Sequence, residues 1–125
     1  MSHSYKDLIV WNKAKLLAVE IYRLTEKFPR SEQYGLTSQL RRAAVSVASN
    51  IAEGQGRATK GEFVQFLGHA RGSILEIETQ LAISTELKFI LPADARRMEE
   101  RTAEVLRLTN GLIESLRPKA RAESA

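Results

Sequence analysis

The chain has 125 residues, 43% of them hydrophobic and 27% charged, which describes one globular domain long enough to bury a core and excludes a disordered chain. Aromatics make up only 6%, prolines number 3 and cysteine is absent. Helices are therefore favoured over sheets, and disulfides, thiolate metal sites and cysteine nucleophiles are excluded. The net charge of +4 sits in the first half: residues 1–59 carry nine Lys/Arg against five Asp/Glu, residues 60–117 eight against nine, and residues 118–125 two against one. That bias permits an RNA or acidic partner without demonstrating one.

The opening MSHSYKDLIVWNK lacks the long apolar stretch of a secretory signal. The charge-free run Ala43 to Ala52 is far shorter than the roughly 20 residues a membrane helix needs. A cytoplasmic protein without membrane contact is expected.

Val10, Ala14, Leu17, Ile21, Leu24 and Phe28 step by fours and threes, which predicts a first amphipathic helix ended by Pro29. Trp11, Ala18 and Tyr22 form a second apolar stripe on it. This stripe either widens the core face or is buried between subunits.

Ser31 is the expected cap of a second helix that runs to about Gly54. Leu36, Leu40, Ala44, Val47 and Ile51 make its core stripe, and Arg42, Ser46, Ser49, Asn50 and Glu53 step along a neighbouring face. Small and amide side chains replace the usual Lys and Glu there. Such a face suits a hydrogen-bonded seam with another helix or subunit, or else a ligand or nucleic-acid surface.

After a glycine-containing connection, Thr59 and Glu62 read as a capping box for a third helix, with Phe63, Leu67, Ala70, Ile74, Ile77 and Leu81 as its core stripe. Its polar stripe, Glu62, Gln65, His69, Ser73, Glu76 and Gln80, is the expected partner of the second helix's small-residue face. Arg42 or Arg57 is expected to meet Glu62 or Glu76. The helix should fade near Lys88. Pro92 then opens a fourth helix whose stripe is Ala95, Met98, Thr102, Val105, Thr109, Leu112 and Leu116, stopped by Pro118.

Four such helices joined by short connections predict an all-α, antiparallel up-down-up-down four-helix bundle over residues 1–117, with 118–125 as a flexible C-terminal tail.

The histidines, His3 and His69, have no Glu at the spacing of a di-iron bundle, so no metal is expected. Gly54-Gln55-Gly56 follows no strand, and Thr59-Lys60 reverses the order of a phosphate-loop motif. Ser73 and His69 are neighbours on one helix without an oxyanion donor, which is poor geometry for a triad. Neither a cofactor nor a small-molecule substrate is expected. Arg41, Arg42, Arg57 and Lys60 are the candidate RNA- or anion-binding residues, lying in the charge-rich half near a helix N-terminus. With no aromatic cluster beside them, base stacking is not expected and sequence preference should be weak.

Tyr5 to Ala14 (YKDLIVWNKA), Tyr34 to Gly54 (YGLTSQLRRAAVSVASNIAEG), Gly61 to Leu81 (GEFVQFLGHARGSILEIETQL) and Leu108 to Leu116 (LTNGLIESL) resemble the four-helix-bundle proteins of the 23S rRNA intervening-sequence family. Ala48 departs from the family pattern, which has a proline there and so a bend in the second helix. The resemblance implies an antiparallel bundle that assembles into a ring of five subunits and is associated with inserted segments of large-subunit rRNA genes. A related branch, the accessory proteins of diversity-generating retroelements, looks like a ring that binds RNA and reverse transcriptase. No catalytic activity comes with the resemblance. Arg41, Arg42, Asn50, Glu53, Gly54, Arg57 and the Gly72-Ser73 step match the family pattern. Together with Trp11, Tyr22, Ser46 and Glu76, the non-basic ones among these are the candidate structural or assembly residues.

The sequence therefore points to a non-enzymatic homo-oligomeric bundle that binds structured RNA or an RNA–protein complex. The alternative is a purely structural assembly without nucleic acid.

Overall fold

Four helices form where the four apolar stripes lie. The computed structural model describes residues 4–118 and places α1 at Ile9–Thr25, α2 at Leu36–Gln55, α3 at Lys60–Glu86 and α4 at Pro92–Leu116. Short 3-10 turns at Tyr5–Asp7 and Arg30–Glu32 precede α1 and α2. Each helix packs on its chain neighbours and α4 closes back on α1, while the diagonal pairs stay apart. That is the up-down-up-down bundle. Of the expected tail, residues 119–125 lie outside the described residues.

All six residues of the expected α1 stripe are buried, including Phe28, which lies beyond the helix end and packs against Phe89 with ring centroids 5.6 Å apart. The α2 and α3 stripes are buried likewise, except that Leu36 and Phe63 are only partly so. On α4 the expected stripe is buried through Thr109, whereas its last two members, Leu112 and Leu116, pack only partly buried at the core's margin and Ile113 is buried instead. Thr25, Ser84, Thr102 and Thr109 sit inside this apolar core. Each hydroxyl donates to the backbone carbonyl four residues back, at 2.7–2.8 Å, so none needs a partner on another helix.

The helix ends correct two expectations. Ser31 does not cap α2; it lies inside the preceding turn. The Glu32 carboxylate does so instead, its Oε1 accepting from the Leu36 N–H at 3.0 Å. A Cβ on Gly35 would lie 2.6 Å from that oxygen, so the glycine leaves room for the cap. At α3 the Thr59 Oγ1 accepts from the Glu62 N–H at 3.1 Å as expected, but the Glu62 carboxylate meets the Thr59 hydroxyl rather than its N–H.

The α3–α4 connection turns through Lys88, whose φ of 64° is in the left-handed region. The Lys88 N–H donates to Thr85 O and the Phe89 N–H to Ser84 O, a Schellman end that ordinarily employs glycine. Lys88→Gly is expected to stabilise the fold by about 1 kcal/mol, since the Cβ strain at this conformation outweighs glycine's entropy. Urea unfolding measures this, and an unchanged or lower midpoint would contradict it.

Candidate functional site

Two grooves flank α2. The first lies between α1 and α2, where Trp11, Ala18, Val19 and Tyr22 face Val45, Ala48 and Ala52 across about 610 Å³. Helix α2 runs unbroken through Ala48. Small residues on α2 open the groove, and large ones on α1 line it. The Trp11 ring meets Tyr5 edge-on at 4.9 Å, and the Lys15 ammonium lies 5.0 Å above it. Of the second stripe, Trp11 and Ala18 are partly buried and pack against the core, while Tyr22 remains 42% exposed, as do Val19 at 40% and Val45 at 45% beside it.

The second groove runs between α2 and α3, the most extensive helix pair. The expected seam forms only in part: Ser73 on α3 meets Ser46 on α2, the Asn50 bonds stay within α2, and Gln80 meets Gln39, which lies outside the expected face. Ser73 Oγ donates to Ser46 Oγ at 3.0 Å, Asn50 Nδ2 donates to Ser46 O and Oγ at 2.9 and 3.0 Å, and Gln80 Nε2 donates to Gln39 Oε1 at 3.2 Å. Small side chains at Ser46 and Ser73 let the helices approach closely enough for a direct hydroxyl contact. The expected ion pairs across the seam do not form: among the described residues neither Arg42 nor Arg57 reaches Glu62 or Glu76. Arg57 pairs with Glu53 at 2.7 Å, because one helical turn brings that carboxylate nearer than any on α3. Its guanidinium also lies 4.6 Å from the Phe66 ring centroid. Ser73 gives its proton to Ser46, while His69 is exposed and stands edge-on to Phe66.

Gly54 sits at a tight contact between the two helices. A Cβ there would lie 2.7 Å from Phe66 Cβ and 2.9 Å from Phe63 Cδ1. Gly72 is exposed and open space surrounds it, so the single chain does not require a glycine there.

The four candidate cations do not form one cluster. Arg41 folds onto the end of α1: its Nε donates to Thr25 Oγ1 at 2.8 Å, an Nη donates to Tyr22 O at 3.1 Å, and the guanidinium lies 4.6 Å over the Tyr22 ring. Its side chain is thus committed to a helix C-terminus, a favourable place for a cation. Arg42 is exposed in the α2–α3 groove with no ion-pair partner among the described residues. Arg57 and exposed Lys60 lie beyond the other end of α2, about 18 Å along the helix from Arg42.

Tyr34 and Gln39 escaped the sequence reading. Both line the α2–α3 groove beside Arg42. The four-residue steps from Tyr34 through Ser38 to Arg42 were the available signal, obscured because Tyr34 precedes the helix proper.

A family model described as 23S rRNA-intervening sequence protein matches residues 6–111. Among solved structures, the chain is similar to that of a protein with unknown function from the S23 ribosomal protein family of Bacteroides thetaiotaomicron VPI-5482. The TM-score is 0.80 at 22% identity, covering 87% of this chain and 98% of that one. At that identity the likeness shows the fold. No curated protein matches the chain. Among the described residues, no helix is long and apolar enough to cross a membrane.

Proposed function

The chain belongs to the 23S rRNA-intervening sequence protein family, and on that premise we propose that it is a non-enzymatic bundle that assembles with copies of itself and binds structured RNA, or an RNA–protein complex, through its surface cations. The α1–α2 groove is the observation that carries the assembly half. It is an apolar hollow lined by Trp11, Val19, Tyr22 and Val45, with Lys15 and Arg23 beside them. A hollow of this kind is characteristic of a contact surface, since exposing contiguous apolar area to water is unfavourable. The resemblance supplies a ring of five as the specific assembly.

The RNA half is supported by the family description and by Arg42, Arg57 and Lys60. These present positive charge at separated points along α2 and its end, a spacing suited to phosphates several nucleotides apart in a folded RNA. The accessory proteins of diversity-generating retroelements would be the narrower case, with RNA and a reverse transcriptase bound together. Assembly without RNA is the second reading, and the same groove favours it.

Light scattering of the purified protein, together with binding of an RNA hairpin across a salt series, tests both halves. The expected result is a homo-oligomer whose RNA affinity falls steeply as salt rises, because phosphate contacts release counterions. Lys60→Ala and Arg42→Ala are expected to weaken hairpin binding while leaving the thermal midpoint nearly unchanged, since among the described residues neither side chain has an ion-pair partner to abandon. No binding at low salt would remove the RNA half and leave the assembly reading.

A further inference from the structure

The α2–α3 groove holds a combination that phosphate binding alone does not use. It has a volume of about 370 Å³, within the range of small-ligand sites. Tyr34 at its edge is 90% exposed, the largest exposure of any big apolar side chain among the described residues. Arg42 lines the same groove, and Glu76 supplies a carboxylate. Gln80 belongs to the lining too, yet is only 8% exposed. Its Nε2 donates to Gln39, but among the described residues its buried Oε1 has no partner.

A buried acceptor without a donor is unfavourable, and natural folds contain few. The Gln39 amide that occupies the other end of the pair belongs to an exposed residue, and its bond to Gln80 is long at 3.2 Å. A group with an acceptor beside a donor can take the place of Gln39, keep Nε2 satisfied and supply the missing donor to Oε1. The edge of a nucleobase has that pattern, and glutamine reads adenine in this two-point way. The remaining parts of a nucleotide find partners in the same groove: a base face stacks on Tyr34 and a phosphate meets Arg42. Glu76 accepts from an amino or ribose hydroxyl group and disfavours a second phosphate close by.

We infer that the α2–α3 groove of this protein holds one unstacked base of single-stranded RNA, stacked on Tyr34 and hydrogen-bonded by Gln80. The inference rests on the RNA-binding reading and adds to it a second kind of contact, to a base rather than to the backbone.

The test compares a short oligoadenylate with an abasic oligomer of equal length and charge, at low salt, alongside the hairpin. Wild-type protein is expected to bind oligoadenylate about tenfold more tightly than the abasic strand, the scale of one stacked base. Tyr34→Ala should abolish that difference without moving the thermal midpoint, because the side chain is exposed, and Tyr34→Phe should keep it. Gln80→Leu should narrow the difference about fivefold yet leave the midpoint unchanged or raised, because it removes a buried amide that is only half satisfied. A purely structural glutamine would instead lower the midpoint and leave the difference intact. Equal affinity of the wild type for the two strands, with the hairpin still bound, would overturn the groove proposal and leave the RNA reading in place. No binding of any of the three overturns both.

Discussion

Gly54→Val is expected to destabilise the bundle by about 3 kcal/mol, the upper part of the range for overpacking a close contact. The reason lies in what a side chain would meet. The nearest atom, 2.7 Å away, is the Cβ of Phe66, which is fixed to the α3 backbone and cannot swing aside. Relief requires α2 and α3 to separate, and the seam from Ser46 to Ser73 depends on their being close. Gly54→Ala should be milder. Alanine gains about 1 kcal/mol of helix propensity over glycine, which offsets part of the clash. Thermal unfolding followed by circular dichroism should show the valine variant melting roughly 10 °C lower. Gly72→Ala is the control: with open space around it, the same propensity gain appears undiminished and the midpoint should rise. A valine variant that melts with the wild type would show that the helices do not approach as described. A Gly72→Ala variant that fails to assemble would place Gly72 at a subunit contact.

The second large effect concerns the α1–α2 groove. The double variant Val19→Asp, Val45→Asp is expected to weaken self-association by a hundredfold or more, leaving chains of 14.0 kDa at micromolar concentration. Each valine, already more than half buried, contributes roughly 0.6 kcal/mol of further burial if a partner covers it. Replacing it with a carboxylate adds a desolvation penalty of several kcal/mol for an unpaired charge. Folding of the single chain should scarcely respond, because these positions are 40% and 45% exposed already. The separation of the two readouts is what makes the test sharp. Light scattering should report smaller particles while circular dichroism and the thermal midpoint stay the same. Trp11→Ala is less clean, since Trp11 packs against the core and contacts Tyr5, so both readouts should move. Wild-type protein that is already monomeric at micromolar concentration would remove assembly altogether.

The buried face of α1 follows from residue spacing alone. The four-three spacing of Val10, Ala14, Leu17, Ile21, Leu24 and Phe28 puts them on one side of any helix, and burial of apolar area does not depend on which atoms lie opposite. The stripe was therefore legible before its partners were known, as were Thr59 at the start of α3 and Pro92 at the start of α4, which act within one turn. The polar contacts were another matter. Hydrogen bonds between helices require atoms within about 3 Å and in line, so they depend on the rotation and height of each helix against its neighbour. Sequence spacing brought Arg42 and Arg57 level with acids on α3; the folded chain gave Arg57 to Glu53 and left Arg42 in an open groove beside Tyr34. Arg41, adjacent in sequence and read as a surface cation, turned across to Thr25 and Tyr22 because one residue of helix rotates the side chain by about 100°. Only the folded chain puts Gly54 at a tight contact between two helices and buries the Gln80 amide with one end satisfied. Both follow from the relative placement of α2 and α3, which no periodicity within either helix specifies.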